Sequence, residues 1–234
     1  MSSLLPPQNK SELFSRIQKI IVESPHKLPG KGFGGTGGPG MYLQILLGLQ
    51  VDNRDIPDSM GWEVKTYSKR TNFITLFHKE PHPQGVVKYL VKSFGWLDNK
   101  RRKSFRHTIA GSSDRFTIIG GAGKILVSPK GTSDGPIPYW TEDDILGAAG
   151  AKLRRLLLVR YKKLGDEITY DRAFIYETLT LSKFIEQVSN GTVLIDFDAR
   201  EMKPGSNSLR NHGTKFRVSP NDIHKLYATT EQIC

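Results

Sequence analysis

The chain has 234 residues, 37% of them hydrophobic, enough to bury the core of one large domain or of two lobes. Its net charge of +11 favours a polyanionic partner, and with the basic residues spread among aromatics and no compact lipid-targeting tail, nucleic acid is preferred to an anionic membrane. No apolar run reaches membrane-spanning length, the N-terminus has no export pattern, and the single cysteine, Cys234, excludes an internal disulfide framework and a cysteine-based zinc site, so a reducing cytoplasm is expected.

Residues 7 to 24 read as a first helix, with Ser11 and Glu12 near its start and apolar positions at Leu13, Ile17, Ile20 and Ile21. The glycine-dense segment from Pro29 to Gly40 has a phosphate-loop look, but no GK[ST] closes it and its lysine sits early. A loop able to approach DNA or rearrange on binding is the better reading. MYLQILLGLQ, 41 to 50, reads as a short buried helix.

The segment PDSMGWEVKTY, 57 to 67, places Asp58, Glu63 and Lys65 around a turn entering a strand. Period-2 alternation puts Glu63 and Lys65 on one face and Val64 on the other, and Asp58 can close over the first face. Two carboxylates hold a hard divalent cation, and a lysine beside them orients a water or neutralises a phosphate. An acid-x-Lys pair at a strand is also common without any metal, since edge strands carry lysine to discourage association.

A second strand, NFITLFHK, follows the SKRT turn, and residues 85 to 95 look helical or mixed. DNKRRKSFRH supplies Lys100, Arg101, Arg102, Lys103 and Arg106, either a solvated face or phosphate contacts. DRFTIIG and GKILVSPK form another strand pair. Thr141 caps a helix that runs on into a buried strand around Leu156 to Tyr161. A strand, a turn and a helix follow from Ile168, then a strand from 191 to 200, and the chain is expected to close with a strand and a helix. The polar connection after that 191–200 strand offers Arg200, Lys203, Asn207, Arg210, Asn211, His212, Lys215 and Arg217, side chains suited to base edges and phosphates. The order predicts a mixed α/β protein with intertwined lobes.

Taken together, PDSMGWEVKTY, NFITLFHKEP, GTVLIDFDAR and RNHGTKFRVS resemble the monomeric type II restriction endonucleases that cut pseudo-symmetric CC-N-GG sites, the MvaI/BcnI-like group, relatives of the mismatch-repair nicking endonuclease MutH. The resemblance runs over nearly the whole chain. It implies a restriction-endonuclease-like core, a central mixed β-sheet flanked by helices, with two lobes forming a DNA cleft. The catalytic lobe would lie mainly in 1–100 with later contributions, and the recognition lobe mainly in 101–234.

By the same resemblance Asp58 and Glu63, with the Val64 carbonyl, hold Mg²⁺ (Mn²⁺ substituting), and Lys65 is the catalytic lysine; Asp58, not Asp55, keeps the spacing. His78 stands where a family histidine of the active-site region stands. Lys215 falls where some relatives carry a functional histidine, and His212 has its counterpart in another subset. Relatives often have a glutamate in the helix before the metal site; here that stretch has Gln44 and Leu47, and an amide supplies no negative charge.

The implied activity is sequence-specific, Mg²⁺-dependent cleavage of double-stranded DNA, one strand at a time, leaving 5′-phosphate and 3′-hydroxyl ends. A monomer acting on DNA in a bacterial or archaeal cytoplasm is expected, with a cognate DNA methyltransferase in the same system but not in stable complex. A mismatch-repair-type nickase shares the same site residues, and a DNA-binding protein that has lost catalysis is the rival of a different class.

Overall fold

The computed structural model describes residues 5–49, 61–131, 134–150 and 152–234, so Asp58 lies outside the described residues. In chain order the elements are helix α1 (Lys10–Val22), strand β1 (His26–Lys27), helix α2 (Gly38–Leu46), strands β2 (Glu63–Tyr67) and β3 (Ile74–His78), and helix α3 (Val86–Phe94). Five strands follow: β4 (Trp96–Leu97), β5 (Lys103–Ile109), β6 (Phe116–Gly121), β7 (Lys124–Pro129) and β8 (Tyr139–Thr141). Helix α4 (Glu142–Ile145) then continues into a π-helical turn, Leu146–Gly150. The last elements are β9 (Arg155–Leu164), β10 (Glu167–Leu179), helix α5 (Leu181–Ser189), β11 (Val193–Glu201), β12 (Leu209–Asn211), β13 (Lys215–Val218), a 3₁₀ turn (Ile223–Leu226) and β14 (Tyr227–Gln232). Among the described residues no helix is long and apolar enough to cross a membrane.

The chain forms two compact units, each assembled from several stretches. The first takes its residues from Met1–Asn72, Gly150–Leu179 and Tyr227–Cys234, the second from Phe73–Ala149 and Thr180–Leu226. Each unit thus draws on sequence both before and after residue 100. The β9–β10 hairpin returns to the first unit because β2 needs a neighbour: β9 pairs with it in parallel, Glu63 beside Leu156 and Lys65 beside Leu158.

In the first unit the sheet order is β1-β10-β9-β2, with β14 also on β10. Helix α1 starts where Asn9 caps the amide of Glu12 at 2.8 Å, and it buries Leu13, Ile17 and Ile20 at helical spacing. Those side chains meet Leu43, Leu47, Trp62, Leu157, Val159 and Ile168 in one core. Helix α2 begins at Gly38, earlier than expected, because Phe33 folds back over it: a Cβ at Gly38 would lie 2.0 Å from the Phe33 carbonyl oxygen. The buried Tyr170 hydroxyl donates to the Pro39 carbonyl at 2.7 Å, tying α2 to β10.

The helix expected at the chain end is not there. One 3₁₀ turn, Ile223–Leu226, leads into β14, which pairs antiparallel with β10 from Leu179↔Tyr227 to Phe174↔Gln232. A segment this short is marginal as a helix, while β10 offers unpaired backbone and Thr229 and Thr230 suit a strand.

The second unit has a six-stranded sheet, β3-β13-β11-β5-β4 with β12 on β11, and a three-stranded sheet, β6-β7-β8. Its core is aromatic: Phe77 stacks on Phe216 with centroids 4.7 Å apart, and Phe105, Phe116, Trp140, Phe184 and Phe197 are fully buried around them. Strand β11 alternates beyond Leu194, burying Ile195, Phe197 and Ala199 and turning Asp196, Asp198 and Arg200 to the opposite face.

Candidate active site

Trp62 and Val64 are 1% and 8% exposed and share one face of the β2 segment. Burying side chains of this size stabilises by roughly 1.5–3 kcal/mol each, and a slip of one residue would expose both. That register turns Glu63 and Lys65 to the other face together. The Lys65 Nζ lies 2.9 Å from Glu63 Oε1, with the Glu63 side chain only 6% exposed. The two expected catalytic groups on this strand are thus brought into contact, as the alternation predicts, while Asp58, expected from the preceding segment, lies outside the described residues.

Two neighbours carry no signal in the local sequence. Lys152 reaches within 4.0 Å of Glu63 Oε1, placed there because β9 begins a few residues later and pairs with β2. The Tyr227 hydroxyl is buried with no hydrogen-bond partner among the described residues; burial, and then the Glu63 carboxylate, push its pKa up. Only the long-range pairing of β2, β9, β10 and β14 places these groups, and no spacing rule in the sequence encodes it.

Among the described residues no group of three His, Cys, Asp or Glu gathers as a metal cage. What is present fits a hard cation only in part: one nearly buried carboxylate, Glu63, followed by the Val64 backbone, with Asp58 required to complete an oxygen set.

His78 belongs to the second unit, exposed at the end of β3 and paired with Lys215 across the ladder. The polar face of that sheet collects Arg106, Lys215, Arg217, Arg200 and Arg210 with the two carboxylates Asp196 and Asp198. Arg106 pairs with Asp198 at 3.1 Å, Lys215 sits 3.6 Å from Asp198, and Arg217 lies 3.1 Å from Asp196. Burial, followed by the charges of Arg102, Arg106 and Arg210, lowers the Arg200 pKa.

The other expected DNA-binding residues are differently placed. Arg102 grips Asp98 through two bonds of 3.0 and 2.7 Å, which lowers the Asp98 pKa to about 2. Lys100 and Arg101 stand at the tip of the β4–β5 hairpin, and Lys203 and Asn207 in the loop between β11 and β12. Asn211 spends its amide inside the unit, donating to Glu80 at 2.9 Å and accepting from the Gly213 amide at 3.0 Å. The His212 amide donates to the Asp198 carbonyl, leaving its ring exposed. Gln44 lies on α2.

The sequence profile of the MvaI/BcnI restriction endonuclease family matches residues 15–227. No curated protein sequence matches the chain. Among solved structures, the chain is similar to restriction endonuclease MvaI in complex with its cognate DNA substrate, at 22% identity and a TM-score of 0.77, over 96% of this chain and 98% of that one. It is also similar to MvaI in the absence of DNA, at 20% identity and a TM-score of 0.60, with all of both chains covered. Those two likenesses show the fold, a mixed α/β architecture; the profile, spanning nearly the whole sequence, shows that the chain belongs to the MvaI/BcnI restriction endonuclease family.

Proposed function

We propose that this type II restriction endonuclease is a Mg²⁺-dependent, sequence-specific enzyme on double-stranded DNA that hydrolyses one strand at a time, in line, leaving 5′-phosphate and 3′-hydroxyl ends. The observation that carries the reading is the Glu63–Lys65 contact of 2.9 Å on a face of β2 whose register the buried Trp62 and Val64 fix. Duplex DNA as substrate is supported by the relative solved with its cognate DNA and by the basic face around Arg200 and Arg210.

Asp58, Glu63 and the Val64 carbonyl would hold Mg²⁺, or Mn²⁺ in its place, which when bound polarises the phosphoryl group and acidifies water. Lys65 places an ammonium where charge builds on the phosphoryl oxygens and orients the attacking water through Nζ. Glu63 holds that ammonium in place before DNA arrives. His78 and Lys215, neighbours across the β3–β13 ladder, would contact DNA from the second unit. With one active site, a monomer cuts one strand per encounter and must rebind in the opposite orientation to sever the duplex, or two chains must assemble transiently. A cognate methyltransferase would protect the host without a stable complex.

The test is incubation with unmethylated plasmid and phage DNA in Mg²⁺ or EDTA, followed by mapping of the ends. Discrete Mg²⁺-dependent fragments sharing one end sequence are expected. Nicked circles alone would turn the reading to a strand-specific nickase, and specific binding without cleavage would sink catalysis.

A further inference from the structure

The glycine-dense segment 29–40 plays no part in the function proposed above, yet it borders a cavity of about 680 Å³ in the first unit. Gly34, Gly35 and Thr36 form one wall and Ser68, Lys69 and Arg70, just beyond β2, form another. Lys163 shapes the cavity from within, its Nζ donating to the carbonyls of Phe33 and Gly34 at 3.3 and 3.0 Å. Lys162 shares Asp171 with Arg160, two cations on one carboxylate. Lys69 and Arg70 are exposed and have no acidic partner among the described residues.

The glycines themselves point to a ligand. At Gly38 the fold demands glycine, since a side chain would strike Phe33. At Gly34 and Gly35 it does not: an added Cβ would meet nothing within 4 Å, and neither has a left-handed backbone. The amides of Gly34, Gly35 and Thr36 make no hydrogen bond among the described residues. Bare, unbonded backbone beside two unpaired cations is the arrangement that lets a phosphate approach closely.

We infer that this cavity is a docking site for the phosphodiester backbone of duplex DNA outside the cleaved sequence, with Lys69 and Arg70 as its charges and the Gly34–Thr36 amides as its donors. The inference rests on the nuclease reading. Strand β2 sets the placement: it carries Lys65, ends at Tyr67, and leads into the Ser68–Thr71 turn that presents Lys69 and Arg70. The site thus stands beyond the end of β2, away from Lys65, and its donors suit phosphates, so it engages DNA backbone away from the cleaved bond and leaves the recognised bases to other residues.

The experiment uses oligoduplexes built on the site that end-mapping identifies, with flanks of two or ten base pairs, titrated by fluorescence anisotropy in EDTA at several salt concentrations. Wild-type protein binds the long-flanked duplex at least tenfold tighter than the short one. K69A/R70A and G34A/G35A lose most of that gain. The salt slope of K69A/R70A falls by about two, near one for each phosphate released, and K69R/R70K retains both gain and slope. Melting of G34A/G35A at or above the wild-type temperature separates lost contact from lost fold. Retention of the full flank-dependent gain and slope in both variants overturns the inference while wild-type cleavage leaves the nuclease reading intact. ATP binding that K69A/R70A abolishes, with flank dependence unchanged, also overturns it in favour of a free nucleotide. Wild-type protein that neither cuts nor binds duplex overturns both.

Discussion

Arg200 stands directly opposite Arg210 in the β11–β12 ladder. Like charges facing one another across a sheet are destabilising, and here Arg102 and Arg106 add to the same field. Asp98 acts on Arg200 as well, but its carboxylate is held by Arg102, so a sheet that keeps such a pair is prepared for a further anion. R210A is therefore expected to weaken binding of the cleaved duplex about tenfold or more while leaving the melting temperature unchanged or higher. Titration at two salt concentrations tells base contact from phosphate contact, because losing a phosphate contact lowers the salt slope by about one. A variant that melts earlier and binds as before would show the pair to be merely structural.

The Glu63–Lys65 contact leads to a paired prediction. E63Q and K65A should each slow cleavage by about a hundred- to a thousandfold, the usual effect of removing one preorganised charge from a site of this kind. They should differ in metal response: E63Q raises the Mg²⁺ concentration needed for half-maximal single-turnover cleavage, and K65A leaves it near the wild-type value. Equal metal shifts in both variants would contradict the division of roles between the carboxylate and the ammonium.

Tyr227 is a test of the same neighbourhood by stability instead of rate. A buried hydroxyl without a partner costs on the order of 1–3 kcal/mol, and this one is buried near the Glu63 carboxylate. Y227F should raise the unfolding free energy by about 1 kcal/mol in urea titrations without impairing cleavage. A loss of stability would mean that the phenol holds a bonded water the protein needs.

The legible and illegible parts of this protein divide along a physical line. Glu63 and Lys65 could be placed on one face because strand alternation is a local rule, and the Thr141 cap likewise follows from its own neighbours, with Asp144 returning the bond at 2.9 Å. Lys152 and Tyr227 could not be placed, because parallel pairing of β2 with β9 and antiparallel pairing of β14 with β10 are decided by the whole sheet. The same holds for the basic residues. Whether Arg102 or Arg106 is available to DNA depends on Asp98, close in sequence, and on Asp198, reached only across the β5–β11 ladder. The terminal helix failed for a related reason: the open edge of β10 outweighed local preference.

Glu201 gives a prediction in pH. It is 2% exposed, takes the Lys92 ammonium at 2.6 Å, and accepts from the amides of Lys103 and Gly205 at 2.9 and 3.1 Å. The Lys92 bond first, and then the Lys103 amide, hold its carboxyl below the usual glutamate value of 4.5. Because the folded pKa is depressed, the unfolded chain takes up the proton first as pH falls. The stabilisation is therefore complete above the unfolded value and drains away below about pH 4.5, as pH drops through the folded pKa. E201A should cost about 2 kcal/mol at pH 7, since it removes the acceptor of two amides and leaves the partly buried Lys92 ammonium with the Ser206 carbonyl as its remaining acceptor among the described residues. E201Q keeps an acceptor oxygen but no charge, so it should cost less and flatten the acid limb of the stability curve. Urea unfolding of wild type and E201Q between pH 3 and 7 decides the matter: parallel curves would mean that Glu201 contributes by shape and not by charge.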